Sequence, residues 1–182
     1  MDSGQRYGGH AFNDAMHEAA RRNVAVEIAR YGDAPHLDDV VVAVLSPCGV
    51  LATGGKNDVN ENSLVALVKV GDVRALFMGD AGLETERKLL ASNVDPRADI
   101  ADIVKIGHHG SAYATSPDLL VAVTPRIALI SVGRHNVFGH PASTTLTRLH
   151  ERGIRIDRTD RCGALRIPLA AHPIPWPQLP CE

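Results

Sequence analysis

The sequence predicts an α/β (α+β) fold, a mixed sheet layered by helices, on three observations. Apolar β-rich runs meet across the tight pair Gly71-Asp72, as antiparallel hairpins do. From Gly79 onward the hydrophobic period alternates between strand and helix. The chain has 182 residues, 45% of them hydrophobic, enough for one domain burying roughly 70% of its unfolded surface. The longest apolar run, residues 40 to 45, falls far short of the ~20 that a membrane span needs. No secretory signal is visible at the polar opening, so the expectation is a soluble domain, cytoplasmic or with its real start elsewhere.

Taken in order, Phe12, Met16 and Ala20 recur at four-residue spacing and predict a helix running to about Arg22. Val24, Val26 and Ile28 alternate with Ala25, Glu27 and Ala29, which predicts a half-buried strand ending at Tyr31-Gly32-Asp33. Residues 37 to 45 form a β-branched run that Pro47 closes, because proline cannot donate to a ladder. Thr53-Gly54-Gly55-Lys56 has glycines and a lysine without the spacing of a phosphate-cradling loop. Residues 63 to 70 and 73 to 78 are the hairpin. A helix is expected over 83 to 90, a strand over 99 to 106 and a helix from Ser116-Pro117, where proline suits a first turn. A strand over 126 to 132 follows, then a helix over 142 to 152 with Leu146 and Leu149 inward, a strand over 154 to 158 and a hairpin partner over 163 to 168. Residues 1 to 168 read as one domain and 169 to 182 as a Pro-rich extended tail.

Cys48, Cys162 and Cys181 are odd in number and widely spaced, which argues for structural thiols over a disulfide framework or thiolate zinc site. Lys plus Arg number 19 against 21 Asp plus Glu, but the charge is uneven. Residues 126 to 166 hold eight arginines against Glu151, Asp157 and Asp160, a balance of +5 that would draw a polyanion. The bland reading is a solvated arginine face.

Three segments share a plan in which an apolar strand runs into a glycine and then presents a polar group that could bind metal. They are Leu76-Phe77-Met78-Gly79-Asp80, Ile103-Val104-Lys105-Ile106-Gly107-His108-His109-Gly110-Ser111 and Val132-Gly133-Arg134-His135-Asn136-Val137-Phe138-Gly139-His140-Pro141. Strand ends are rigid supports, and imidazoles with a carboxylate are what Zn²⁺ or Mn²⁺ accept. Taken singly, Asp80 also suits a helix cap and His140 a packed loop histidine. The adjacent imidazoles of His108 and His109, flanked by glycines that keep them accessible, are harder to read as structural.

These segments, with Asn60-Glu61-Asn62-Ser63-Leu64-Val65, Ala101-Asp102, Ile130-Ser131 and Arg158-Thr159-Asp160, closely resemble the metallo-β-lactamase-like domain of ComEC-type competence proteins over about residues 10 to 168. The resemblance implies an αββα sandwich and a phosphoester hydrolase using up to two divalent ions, zinc or manganese. It implies Asp80 as a bridging ligand and one histidine of the pair, His108 by preference, as a second. His109 and His140 would contact substrate or support the ligands, and Arg134 would offset charge on the leaving group. The family's upstream His-x-(His/Asp)-x-Asp-His motif is not present, so the chain is expected to be the C-terminal portion of that domain or a degenerate copy.

The implied partner is single-stranded DNA or another phosphodiester polyanion. No membrane contact is expected from the chain itself, with a membrane-embedded parent implied by the resemblance. Arg148 and Arg152, four residues apart on one helix, are expected to track a phosphate backbone. The rival readings are a non-catalytic module that binds polyanions at its arginine-rich end and a hydrolase resembling phosphorylcholine esterases. A thiolesterase or lactonase fits less well.

Overall fold

Two kinds of strand connection build one sheet. The computed structural model describes residues 1–5, 9–55, 57–92 and 101–167. In it seven strands are bonded in chain order: β1 (His36–Leu37), β2 (Val40–Ser46), β3 (Val65–Val70), β4 (Val73–Phe77), β5 (Ile103–Lys105), β6 (Ile127–Ile130) and β7 (Arg155–Arg158). β1 to β4 run antiparallel, whereas β5, β6 and β7 each join the preceding strand in parallel. Gly71, at φ +56, supplies the positive φ of the tight β3–β4 turn. Parallel neighbours need a crossover, and α3 (Leu83–Ala91), α4 (Pro117–Val123) and α5 (Ser143–Glu151) lie in the three connections. The Ser116 side chain caps α4 by accepting from the Leu119 amide. α1 (His10–Arg21), α2 (Asp58–Glu61) and α6 (Thr159–Cys162) stand outside the crossovers.

The register decides what each face buries. Leu67, Leu76, Val104, Ala128 and Ile156 lie side by side across β3 to β7. They meet Leu89 of α3, Leu119, Leu120 and Val123 of α4 and Leu149 of α5 in the main core. Each fully buried leucine there contributes about 1.5–3 kcal/mol. On the opposite face Ala75, Ile103 and Ile127 form a smaller cluster with Val73, Leu129 and Ile167. Phe77, on the same face, is 43% exposed. Among the described residues, α3, α4 and α5 share one core with the sheet, and the second face is only partly covered.

The α/β class is as expected, and several elements differ in detail. The run read as one strand over 37 to 45 turns at Asp38-Asp39, with Asp38 at φ 52, into the β1–β2 hairpin. Among the described residues, 24 to 30 make a single isolated bridge, between Asp2 and Ile28, and Val24, Val26 and Ile28 are exposed. Alternation alone does not make a strand where no neighbour offers a ladder. Among the described residues, 163 to 167 pair with no strand, since the chain turns into α6 directly after β7. Cys48 is free, but Cys162 is in a disulfide whose partner lies outside the described residues, which corrects the thiol reading for that position. Sequence separation says nothing about the few ångströms between Cβ atoms that decide a disulfide. The expected start of the 99–106 strand, residue 168 and the expected 169–182 tail lie outside the described residues.

Candidate active site

Asp80 stands just beyond β4 because Gly79 lets the chain turn there. Gly79 adopts φ +56, and a Cβ on it would lie 3.0 Å from the Leu64 carbonyl oxygen. The Asp80 amide donates to Ser63 Oγ at 3.1 Å. Buried Asn62 exchanges two hydrogen bonds with the Ala52 backbone, and the Glu61 carboxylate accepts from the Thr85 amide and hydroxyl. The 60–63 segment therefore fixes the turn that presents Asp80. The cap of α3 is Gly82, without a side-chain cap bond, so Asp80 does not serve as one.

The next strand end brings a cation and two imidazoles. Lys105 Nζ donates to the Gly79 carbonyl at 2.8 Å and lies 4.0 Å from Asp80 Oδ1. Burial lowers its pKa, and the Asp80 charge opposes that shift. In the 3-10 turn Gly107–Gly110, His108 and His109 both take left-handed conformations, φ 45 and φ 54. Such conformations cost about 1–2 kcal/mol per residue, so tertiary bonds have to impose them. The His108 amide donates to Gly79, the Ser111 amide to His108 and the Ala142 amide to Gly110. A Cβ on Gly107 would lie 2.7 Å from the Ala81 oxygen, and one on Gly110 2.6 Å from Pro141 Cβ. Close approach of neighbouring chain, rather than access to the imidazoles, is what these glycines serve.

His109 Nδ1 lies 2.6 Å from the Ser131 carbonyl, which can only accept, so Nδ1 carries the proton. His109 Nε2 lies 3.4 Å from Asp80 Oδ1. The third segment supplies His140, whose ring centroid lies 5.6 Å from that of His108. Burial lowers the His140 pKa, and His108 and His109 add to the shift. Asn136 ties this loop by donating to the Gly133 and His140 carbonyls and accepting from the His140 amide.

Asp80, His108, His109 and His140 thus converge from three separate segments. Arg134 is not brought to them, and its Nε makes a long bond, 3.4 Å, to the Asp160 carbonyl. His135 is exposed. Lys105, Ser63 and Asn136 are the site residues that sequence patterns did not single out, though each sits inside a segment that they did. The donor types suit zinc or manganese, but among the described residues no three His, Cys, Asp or Glu side chains stand close enough to hold one ion. The set present does not by itself complete a metal site.

The arginine-rich end is largely engaged within the fold. Arg148 donates to the Ala112, Ala114 and Thr115 carbonyls, and Arg152 to the Arg148 carbonyl. Arg155 pairs with Asp157, and Arg158 with Asp160. The expectation that Arg148 and Arg152 jointly track phosphates is corrected, because the helix spacing was right but Arg148 faces a loop inside the protein.

The chain is a mixed α/β sheet with a carboxylate and histidines near its strand ends. Its homologues include ComE operon protein 3 of Bacillus subtilis (strain 168), 32% identical over 151 residues, 83% of this chain and 19% of that protein. Recombination protein 2 of Haemophilus influenzae is 32% identical over 132 residues, 72% of this chain and 16% of that protein. Competence protein ComA of Neisseria gonorrhoeae is 33% identical over 112 residues, 62% of this chain and 16% of that protein. The chain thus spans less than a fifth of the length of each. No family model matches it. Among the described residues no helix is long and apolar enough to cross a membrane.

Proposed function

We propose that the chain is the C-terminal portion of a metallo-β-lactamase-like phosphodiesterase domain of a DNA-uptake protein, with single-stranded DNA as its substrate. The observation that carries this reading is the convergence of Asp80, His108, His109 and His140 at one set of strand ends. The competence protein among its homologues supports the DNA-uptake role. The partly covered second face, with Phe77 exposed, supports a sandwich whose other layer comes from parts of the parent that this chain does not span.

Zinc or manganese is the cofactor this reading calls for. When bound, such an ion activates water and neutralises phosphoryl charge. Asp80 would be one donor. His109 is favoured over His108 as the other, because its remaining nitrogen is held by a backbone carbonyl, the support that metal-binding histidines commonly have. Further donors have to come from outside this chain. Lys105 places an ammonium beside Asp80 where a phosphoryl oxygen would bind, and His140, whose pKa burial lowers, can hydrogen-bond a phosphoryl or leaving oxygen. The shortage of donors favours one rival, a non-catalytic polyanion-binding module.

The test is manganese- or zinc-dependent cleavage of single-stranded DNA by the domain together with the sequence preceding it in its parent. Asp80→Ala and His109→Ala should each lower cleavage by at least ~100-fold. Cleavage of phosphorylcholine esters but not DNA would select the esterase reading, and neither activity with metal bound would leave the binding module.

A further inference from the structure

The loop that carries His140 displays two large apolar side chains that the fold leaves in water. Val137 is 90% exposed and Phe138 78%. The Asn136 side chain donates to the His140 carbonyl and accepts from the His140 amide, which ties this span into a narrow tip, and Gly139 turns it at φ +69. The Phe138 ring lies nearly parallel to that of His140, at a centroid distance of 6.1 Å and an interplanar angle of 20°. Its orientation is thereby defined beside the candidate site, and the same loop exposes Arg134. A flat exposed ring beside a cluster that the proposed function turns towards phosphate is a combination that binds single strands without reading sequence.

We propose that Phe138 is a stacking platform for one nucleobase of a single-stranded polynucleotide, seated so that an adjacent phosphate reaches the Asp80 and histidine cluster. The inference rests on the phosphodiesterase reading and narrows it to substrates that carry bases. An aromatic face accepts any base, so the preference would be for single-stranded character rather than sequence. The ring is 78% exposed, which leaves a face free for the base.

The experiment compares binding of a ten-nucleotide oligothymidine and an abasic ten-mer with the same phosphates, at low salt with a chelator present to prevent cleavage. Wild type should bind the oligothymidine at least roughly tenfold more tightly than the abasic strand. Phe138→Ala and Phe138→Leu should abolish that difference, and Phe138→Trp should retain it, with indole fluorescence quenched on binding. Phe138 is exposed, so these variants fold. Equal binding of the two strands by wild type, no binding of either, or a base preference that survives Phe138→Leu would overturn the proposal. Binding to anionic phospholipid vesicles that depends on Phe138, without a base preference, would overturn it in favour of a membrane contact. Cleavage in the parent domain is read separately. A base preference without cleavage upholds the platform and refutes the hydrolase, whereas cleavage without a base preference does the reverse.

Discussion

His108 and His109 hold left-handed conformations only because the surrounding backbone is drawn tightly around them, so the turn should tolerate no added bulk. Gly110→Ala meets both a strained φ of +88 and Pro141. It should destabilise the protein by about 2–4 kcal/mol, read as a fall in the urea midpoint. Gly107→Ala, which runs into the Ala81 oxygen, should cost about 1–3 kcal/mol. At this scale the sequence was informative where the chemistry is local. Asp80, the His108-His109 pair and His140 stand out because unusual side chains follow apolar runs. Lys105, Ser63 and Asn136 did not, because their roles are hydrogen bonds to main-chain or hydroxyl groups that no spacing reveals. Arg134 had the right charge and a neighbouring place in the chain, yet its loop carries it to the Asp160 carbonyl.

α3 and α5 together hold the loop that follows the histidine turn. Buried Glu86 of α3 accepts from the Thr115 and Ser116 amides, while Arg148 of α5 donates to three carbonyls of the same stretch. Thr145 adds a bond to the Ser111 carbonyl. Arg148→Met should cost about 1–3 kcal/mol by leaving those carbonyls without their donor, and Arg152→Met less than about 1 kcal/mol. Thermal unfolding of the two variants gives the comparison. Burial raises the Glu86 pKa above 4.5, against the lowering pull of the Ser116 and Thr115 amides and of Arg148. The native state therefore holds that proton more tightly than the unfolded chain does. The group's contribution is complete below about pH 4.5 and is lost as pH rises through the higher native value. Relative to Glu86→Gln, wild type should gain stability between pH 7 and pH 4, seen as a rising difference in urea midpoint. A flat or falling difference would contradict the raised value. Four-residue spacing correctly placed Arg148 and Arg152 on one helix face, but it carries no sign of whether that face meets water or a loop.

Across the whole molecule the order should be uneven. α1 buries no residue, and Val24, Val26 and Ile28 beyond it are exposed, whereas β3 to β6 run through the main core. Amides of α1 should exchange with deuterium at least about a hundredfold faster than those of β4 to β6. The order of hairpin and crossover elements was legible in the sequence, since Gly71-Asp72 and the changes of period lie within single segments. The state of residues 24 to 30 was not, because alternation fixes which side chains share a face but not whether another strand lies alongside. β4, β5 and β6 run parallel, so their C-terminal ends share one rim, with neighbours about 4.8 Å apart as backbone hydrogen bonding requires. The ladder thereby acts as a ruler for the groups mounted on it. Substitutions in the core can loosen the mounting without changing its graduations, so a change in what the site accepts has to be written at the loop tips, at positions such as Phe138, and not in the strands.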